Sequence, residues 1–383
     1  MTSQTGPYPQ TESPPGLVNL AIGQPSPALL PLEAIRDGAV RGLGTGRDPL
    51  VLQYGRIEGY DEFRRALAGF LSARYGTPVG PDELLVSAGN STALTLACQV
   101  FGRPGGSVVC EDPTYFLAAG MLRAAGAELV PIPVDEGGLR TDALADRLAG
   151  GLRPDLAYVI PSFQNPTGVG LAAGRAERLL ELADEFDFVV VADEPYPLLH
   201  FAAVGPGTIA SKDRGRGRVV SLGSFSKILA PGLRLGWFQG SPALIERLSG
   251  HGALASGGGL NPVVAAVVEP LVRDGFLGAH VDRLRAVYSE RAAALSSALR
   301  AELPGVAFAE PEGGYFLWLD LGPGADATAL RARSDERGVR FLPGARCALA
   351  RDLSRFARLS FAFHEAGELR EGVRRLRGLV EGG

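Results

Sequence analysis

Apolar positions along this chain fall into two rhythms. Short apolar runs, the kind carried by strands buried on both faces, occur at residues 84–88, 108–111, 128–133, 156–161, 188–192, 219–222 and 233–238. Between and around them lie helical patterns: residues 31–42 with a proline at the start, an amphipathic stretch at 60–75, then 92–101, and a long run at 276–303. Strand and helix alternate from residue 84 to 238, which predicts an α/β fold with a mainly parallel central sheet and functional groups at loop ends. After residue 303 the pattern changes. Strand signals at 315–320, 339–342 and 356–361 alternate with helices, as in a smaller α+β unit. Residues 1–16 read as a mobile polar arm and 257–262 as a flexible glycine-rich loop. The expected division is a large domain at 44–280 and a small domain built from both termini, 1–43 and 281–383, with the long helix joining the two.

At 383 residues the chain is long enough for that arrangement. A net charge of −4 gives no electrostatic case for nucleic acid or an anionic membrane. No run of about 18 apolar residues predicts a membrane span, and the N-terminal stretch has no apolar core of a secretory signal. Cys98, Cys110 and Cys347 are far apart and odd in number, so they indicate buried thiols of a reducing compartment rather than a disulfide framework. None of the four histidines has a ligand set around it, so no metal is expected and the protein is read as cytoplasmic.

Candidate chemistry centres on residues 221–238. Of 38 Lys plus Arg residues, only Lys212 and Lys227 are lysine. Lys227 lies between two apolar runs, a poor place for a solvated surface amine. A desolvated amine loses its proton and attacks a carbonyl to form a Schiff base, which a guanidinium cannot do. Ser224 and Ser226 precede it and Arg234 follows, a set suited to a phosphate. An aldehyde and a phosphate together describe pyridoxal 5′-phosphate. Gly89-Asn90-Ser91 opens a helix just after a strand, another phosphate cradle. Asp193 ends a wholly apolar run, where an acid is costly without a partner. Arg358 stands among apolar residues in the sequence Phe356-Ala357-Arg358-Leu359.

Ser224-Phe225-Ser226-Lys227 followed by Ala230-Pro231-Gly232-Leu233-Arg234-Leu235-Gly236-Trp237 resembles the lysine signature of the class I/II aminotransferases, which have the pyridoxal-phosphate fold-type I architecture. The branch it most resembles holds the 2-aminoadipate, kynurenine and aromatic aminotransferases, and the resemblance extends from about Gly23 to Arg358. It implies a role for each matching residue. Lys227 carries the cofactor; Gly89, Asn90, Ser91, Ser224, Ser226 and Arg234 hold its phosphate; Tyr115 stacks on its ring. Asn165, in an Asn-Pro-Thr-Gly turn, and Tyr196 bond the ring 3′-oxygen. Asp193 keeps the ring nitrogen protonated. Arg358 clamps the substrate carboxylate, with Gly23 and Asn165 beside it. Tyr54 implies a homodimer, because a tyrosine at this place reaches the partner's phosphate.

The expected activity is transfer of an amino group from an amino acid to a 2-oxo acid. The same groups also serve elimination, decarboxylation or oxidative deamination of a modified amino acid in specialised metabolism, so that alternative stays open at this point. A non-catalytic pyridoxal-phosphate-binding sensor is a third reading. In the aminoadipate-type branch that the chain resembles, an arginine in the N-terminal segment can bind a second carboxylate; no arginine occurs here before Arg36, so the resemblance implies a substrate without an acidic side chain.

Overall fold

The computed structural model describes Tyr8 and residues 10–381. Residues 1–7 and 9 of the expected arm, and 382–383 of the expected small domain, lie outside the described residues.

The architecture is α/β, organised by an eight-stranded sheet. Its strands run in the order Leu84–Ser87, Gly236–Gly240, Val219–Ser224, Val189–Asp193, Leu156–Val159, Ser107–Asp112, Glu128–Asp135 and Gly138–Leu139. The five strands from Val219–Ser224 to Glu128–Asp135 pair in parallel, while both edges are antiparallel. The apolar runs are explained by burial: every residue of Val189–Asp193 and of Leu156–Val159 is covered. Helices cover the two faces, giving one core around Leu94, Phe101 and Leu122 and another around Leu144, Leu179 and Leu182.

The strand expected at 233–238 starts later, at Gly236. A short 3-10 turn at Pro231–Leu233 and a left-handed Arg234, at φ 47°, occupy the first part of that run. The turn puts Arg234 beside the strand ends instead of inside the ladder. The loop expected at 257–262 is partly helical, since Gly252–Gly257 forms a short helix and Pro262 starts the next, Pro262–Arg273.

The chain's two ends meet. Val18–Asn19 pairs in parallel with Val339–Arg340. Phe356–Ser360 forms the middle of a three-stranded antiparallel sheet with Phe316–Asp320 and Leu342–Pro343. The helix Phe276–Glu302 buries Leu277, Val281, Leu284, Tyr288, Leu295 and Leu299, a stripe at steps of three, four and seven. That stripe packs into a core shared by Phe63 and Leu67 on one side and Leu317, Leu359 and Val373 on the other. Among the described residues no helix is long and apolar enough to cross a membrane.

Candidate active site

The parallel strands end at one edge, and the chain turns there repeatedly with polar residues in the turns. This is where an open α/β sheet has free backbone groups and room for a ligand. A cavity of about 740 Å³ opens at that edge. Asn90, Ser91, Tyr115, Asn165, Asp193, Tyr196, Ser224, Ser226, Lys227, Arg234, Arg358 and Gly23 all line it. Residues far apart in sequence are thus brought together as expected. Gly89, which precedes Asn90, is not among the lining residues. Tyr54 does not line the cavity and is 79% exposed.

Lys227 projects from the turn after Val219–Ser224, and its Nζ donates to the Gly23 carbonyl at 2.7 Å. Burial weakens its hold on a proton, helped by the positive Arg358 and Arg234, with Asp193 acting the other way; the amine is pushed down to about 8. At pH 7 roughly a tenth of the amine is then neutral, far more than for an ordinary lysine.

Asp193 ends its strand inside the cavity wall. Its Oδ1 accepts from Asn90 Nδ2 at 2.6 Å and its Oδ2 from the Tyr158 hydroxyl at 2.8 Å. Burial raises the acid, and those two bonds together with Lys227 oppose the rise. What Asn90 offers a phosphate is its backbone N–H at the helix start. Its side chain turns to Asp193 and to the Leu222 carbonyl at 2.9 Å, because Gly89 at φ 85° starts the helix and aims the first side chain along the sheet edge. Backbone N–H groups at the start of Asn90–Phe101 stay directed at the cavity end of the helix.

Beside that helix start, Ser224 Oγ accepts from Ser226 N at 3.0 Å and Arg234 lies at the rim. Arg234 reaches Ser226 Oγ at 3.4 Å and the Ala88 carbonyl at 3.3 Å, both long, so its donors are available to a better acceptor. A Cβ on Gly89 would come within 2.6 Å of Arg234 Nη2, so the cradle depends on the missing side chain. Two serines, a loosely held guanidinium and a helix start fit a phosphate group.

The opposite wall carries Arg358, only 4% exposed. Its Nη1 donates to Asn165 Oδ1 and its Nη2 to the Ala21 carbonyl, each at 2.8 Å, and the Phe316 ring lies 4.0 Å beneath its Cζ. Its Nε has no partner. Burial weakens its proton affinity, and the groups that offset this are Cys347, Tyr196 and Tyr115; no carboxylate of the described residues contributes. A buried cation without a counter-ion is costly, and this one faces a cavity large enough to admit an anion. Tyr196 is buried against the Tyr315 and Phe316 rings, and burial raises its hydroxyl. Tyr115 is half-buried at the cavity mouth.

The site is therefore bipolar: an anion cradle on one side, a buried carboxylate-ready arginine on the other, and a weakly basic amine between. The residues present fit a phosphate-bearing aldehyde and an amino-acid carboxylate. Sequence reasoning missed Tyr158, whose only signal is a hydroxyl in an otherwise apolar strand. It also missed Glu111 and Gln164, which lie behind the cavity wall. Among the described residues no cluster of metal-ligating side chains exists.

Comparison with known proteins agrees with that geometry. The family model for aminotransferase class I and II matches residues 15–376. The chain is 34% identical to aromatic-amino-acid aminotransferase 1 of Thermococcus litoralis, over 94% of this chain and 87% of that one. It is 35% identical to the 2-aminoadipate transaminase of Thermus thermophilus, over 96% and 91%. Its fold is similar to that of Pyrococcus horikoshii kynurenine aminotransferase, solved with pyridoxamine phosphate (PMP), kynurenine and its product, at a TM-score of 0.88 and 34% identity, covering 96% and 91% of the two chains.

Proposed function

The chain belongs to the class I and II aminotransferases, which are pyridoxal-phosphate enzymes of fold-type I acting on amino and 2-oxo acids, and from that premise we propose how its own residues divide the work. Lys227 carries the cofactor, Asp193 faces the ring nitrogen, and Arg358 takes the α-carboxylate of the donor. The observation that carries this reading is Arg358 itself: a buried guanidinium with an unpartnered Nε, facing an amine whose proton is loosely held.

When bound, the cofactor supplies a carbonyl that captures the donor's nitrogen and a ring that withdraws electrons from its α-carbon. The protein's part is positioning and proton movement. Ser224, Ser226, Arg234 and the Gly89-Asn90-Ser91 helix start hold the phosphate. Asp193, held by Asn90 and Tyr158, keeps a proton on the ring nitrogen. Tyr115 would cover one ring face, and Asn165 and Tyr196 would serve the ring oxygen, all three lining the cavity. Arg358 and Asn165 orient the donor carboxylate, with Gly23 closing the space above Phe316. Lys227 Nζ would be the base that takes the donor's α-proton and the acid that returns it.

The side-chain compartment points to a neutral donor. The cations lining the cavity, among the described residues, are Lys227, Arg234 and Arg358, and each has a task. What remains there includes Gln10 and Gln24, joined by a 3.2 Å hydrogen bond, with Asn19, Ile22, Phe116 and Leu117. Aromatic and modified neutral amino acids, those of specialised metabolism included, suit such a lining. An acidic side chain would find no cation.

A second copy of the chain completes the site in this reading. Among the described residues, seven of the eleven exposed large apolar side chains lie between Leu30 and Tyr54. The patch adjoins the site rim, since Tyr54 packs against Gly258 and Asn261 of the same loop bonds the Arg234 carbonyl. Covering it in a homodimer would bring Tyr54 to the partner's phosphate. The pairing of Val18–Asn19 with Val339–Arg340 supports a small domain drawn from both termini, for which the bounds 1–43 and 281–383 against 44–280 are proposed, although Gly38 and Gly42 of the helix Leu32–Leu43 lie against Val267 and Ala266 of the large domain. The three buried, unpaired cysteines are in keeping with a reducing cytoplasm.

The test of this reading is Lys227→Ala in cofactor-reconstituted protein. Multiple turnover should vanish while the fold persists. Sustained turnover by the variant would remove Lys227 from the chemistry.

A further inference from the structure

Behind the cavity wall Glu111, Gln164 and Thr167 form a hydrogen-bonded chain whose first two members are buried. Gln164 is 1% exposed and sits in the turn that carries Asn165. Its Nε2 donates to Glu111 Oε2 at 3.1 Å and to the Pro113 carbonyl at 2.7 Å. Its Oε1 accepts from Thr167 N at 3.0 Å and from Thr167 Oγ1 at 2.7 Å. Its own N–H donates to Val169 O, and its carbonyl accepts from Gly168 N. The hydrogen-bonding capacity of this side chain is fully used on Glu111, Pro113 and Thr167, half of it on backbone groups and half on side chains. Glu111 Oε2 also accepts from Ile160 N at 3.0 Å, so one carboxyl oxygen ties down both the strand end and the turn that follows it.

The turn needs such a strut. Phe163, next to Gln164, has φ 50°, a left-handed conformation that a side chain disfavours. Asn165, on the other side, delivers its Oδ1 to Arg358. Among the described residues Arg358 has one other hydrogen-bond acceptor, the Ala21 carbonyl on the N-terminal segment. Its aim therefore depends on where the turn holds Asn165.

We infer that Glu111 and Gln164 are positioning residues for the carboxylate clamp: they fix the Asn165 turn, and through it the guanidinium of Arg358, in the geometry that receives the donor's α-carboxylate. The inference rests on the reading of Arg358 given above. Burial raises Glu111 to about 8, with the nearby Asp193 adding to the rise. A neutral carboxyl at this place accepts the Gln164 amide without adding a second buried negative charge behind Asp193.

The experiment uses the cofactor-loaded protein and two readouts: steady-state kinetics with the best donor, and the calorimetric dissociation constant of 3-phenylpropionate, a carboxylate without an amino group. Gln164→Leu should raise both KM and the 3-phenylpropionate constant at least tenfold, with kcat within threefold. Glu111→Leu should reproduce that pattern. Glu111→Gln, which keeps a carbonyl acceptor, should stay within threefold of wild type in both. Gln164→Asn keeps the amide but is too short to span both anchors, and it serves if Gln164→Leu fails to fold. Arg358→Lys is the control. If it leaves carboxylate binding unchanged, the clamp reading fails and the inference with it. If Arg358→Lys weakens binding while the Gln164 and Glu111 variants do not, the inference alone is overturned. A loss confined to kcat in those variants would overturn it as well.

Discussion

Replacing Arg358 with leucine separates what this residue does for the reaction from what it does for the fold. In the folded protein the guanidinium is buried, bonded to Asn165 Oδ1 and Ala21 O at 2.8 Å, and without a carboxylate partner among the described residues. Two stability terms oppose each other. Leucine strands the two acceptors, at about 1–3 kcal/mol each. It also removes an uncompensated buried charge, whose desolvation penalty is several kcal/mol. Their difference should leave the unfolding free energy within roughly 2 kcal/mol of wild type. Catalysis has no such compensation. Losing one partner of a buried, hydrogen-bonded charge pair costs about 2–5 kcal/mol, or ~30- to ~4000-fold in kcat/KM. The assay compares an amino-acid donor with the primary amine that has the same side chain and no carboxylate. Arg358→Leu should lower the first by that factor and leave the second nearly unchanged. An equal loss for both would refute the reasoning, because the arginine would then be acting on something other than the carboxylate.

Tyr158→Phe removes one of two donors to Asp193 and leaves Asn90 in place. Hydrogen bonds to charged groups contribute about 1.5–3 kcal/mol, so kcat at saturating cofactor should fall ~10- to ~100-fold; unchanged kcat would deny Tyr158 a part in holding the acid. Gly89→Ala puts a methyl in the space of Arg234 Nη2 on a left-handed backbone, so cofactor should dissociate faster on dialysis; wild-type retention would contradict the cradle. Glu111, raised to about 8, binds its proton more tightly in the folded than in the unfolded chain. Its contribution to stability is therefore full below the unfolded value near 4.5 and is lost as pH rises toward 8. The Tm of Glu111→Gln should fall less than that of wild type between pH 5 and pH 8, and parallel curves would reject the raised value.

The sequence was most readable where burial forces a choice. Lys227 and Asp193 each end or follow an apolar run, and a charged group there has few explanations other than a ligand. The alternation of runs and helices made the parallel sheet legible for the same reason. Directions of side chains were not legible. Asn90 was expected beside a phosphate, and its amide turns to Asp193, because the backbone at Gly89 sets the aim and sequence does not display φ. The start of the strand after Arg234 slipped because a left-handed residue breaks an apolar run without changing its composition. The arm was read as mobile from its polarity. Of its described residues, Gln10 lines the cavity and accepts from Gln24, and Ser13 accepts from Asn19, pairings between distant polar residues that no local pattern encodes. Gln164 and Glu111 escaped for a related reason: a buried polar pair looks like ordinary surface chemistry until both partners are placed.

The most direct test is a half-reaction. Purified protein loaded with pyridoxal phosphate is mixed with neutral amino acids and no 2-oxo acid, and cofactor spectrum and products are followed together. The account predicts conversion of the cofactor to its amino form with one equivalent of 2-oxo acid per site, and then a stop. Repeated turnover without an acceptor, releasing ammonia, carbon dioxide or a side-chain fragment, would contradict it.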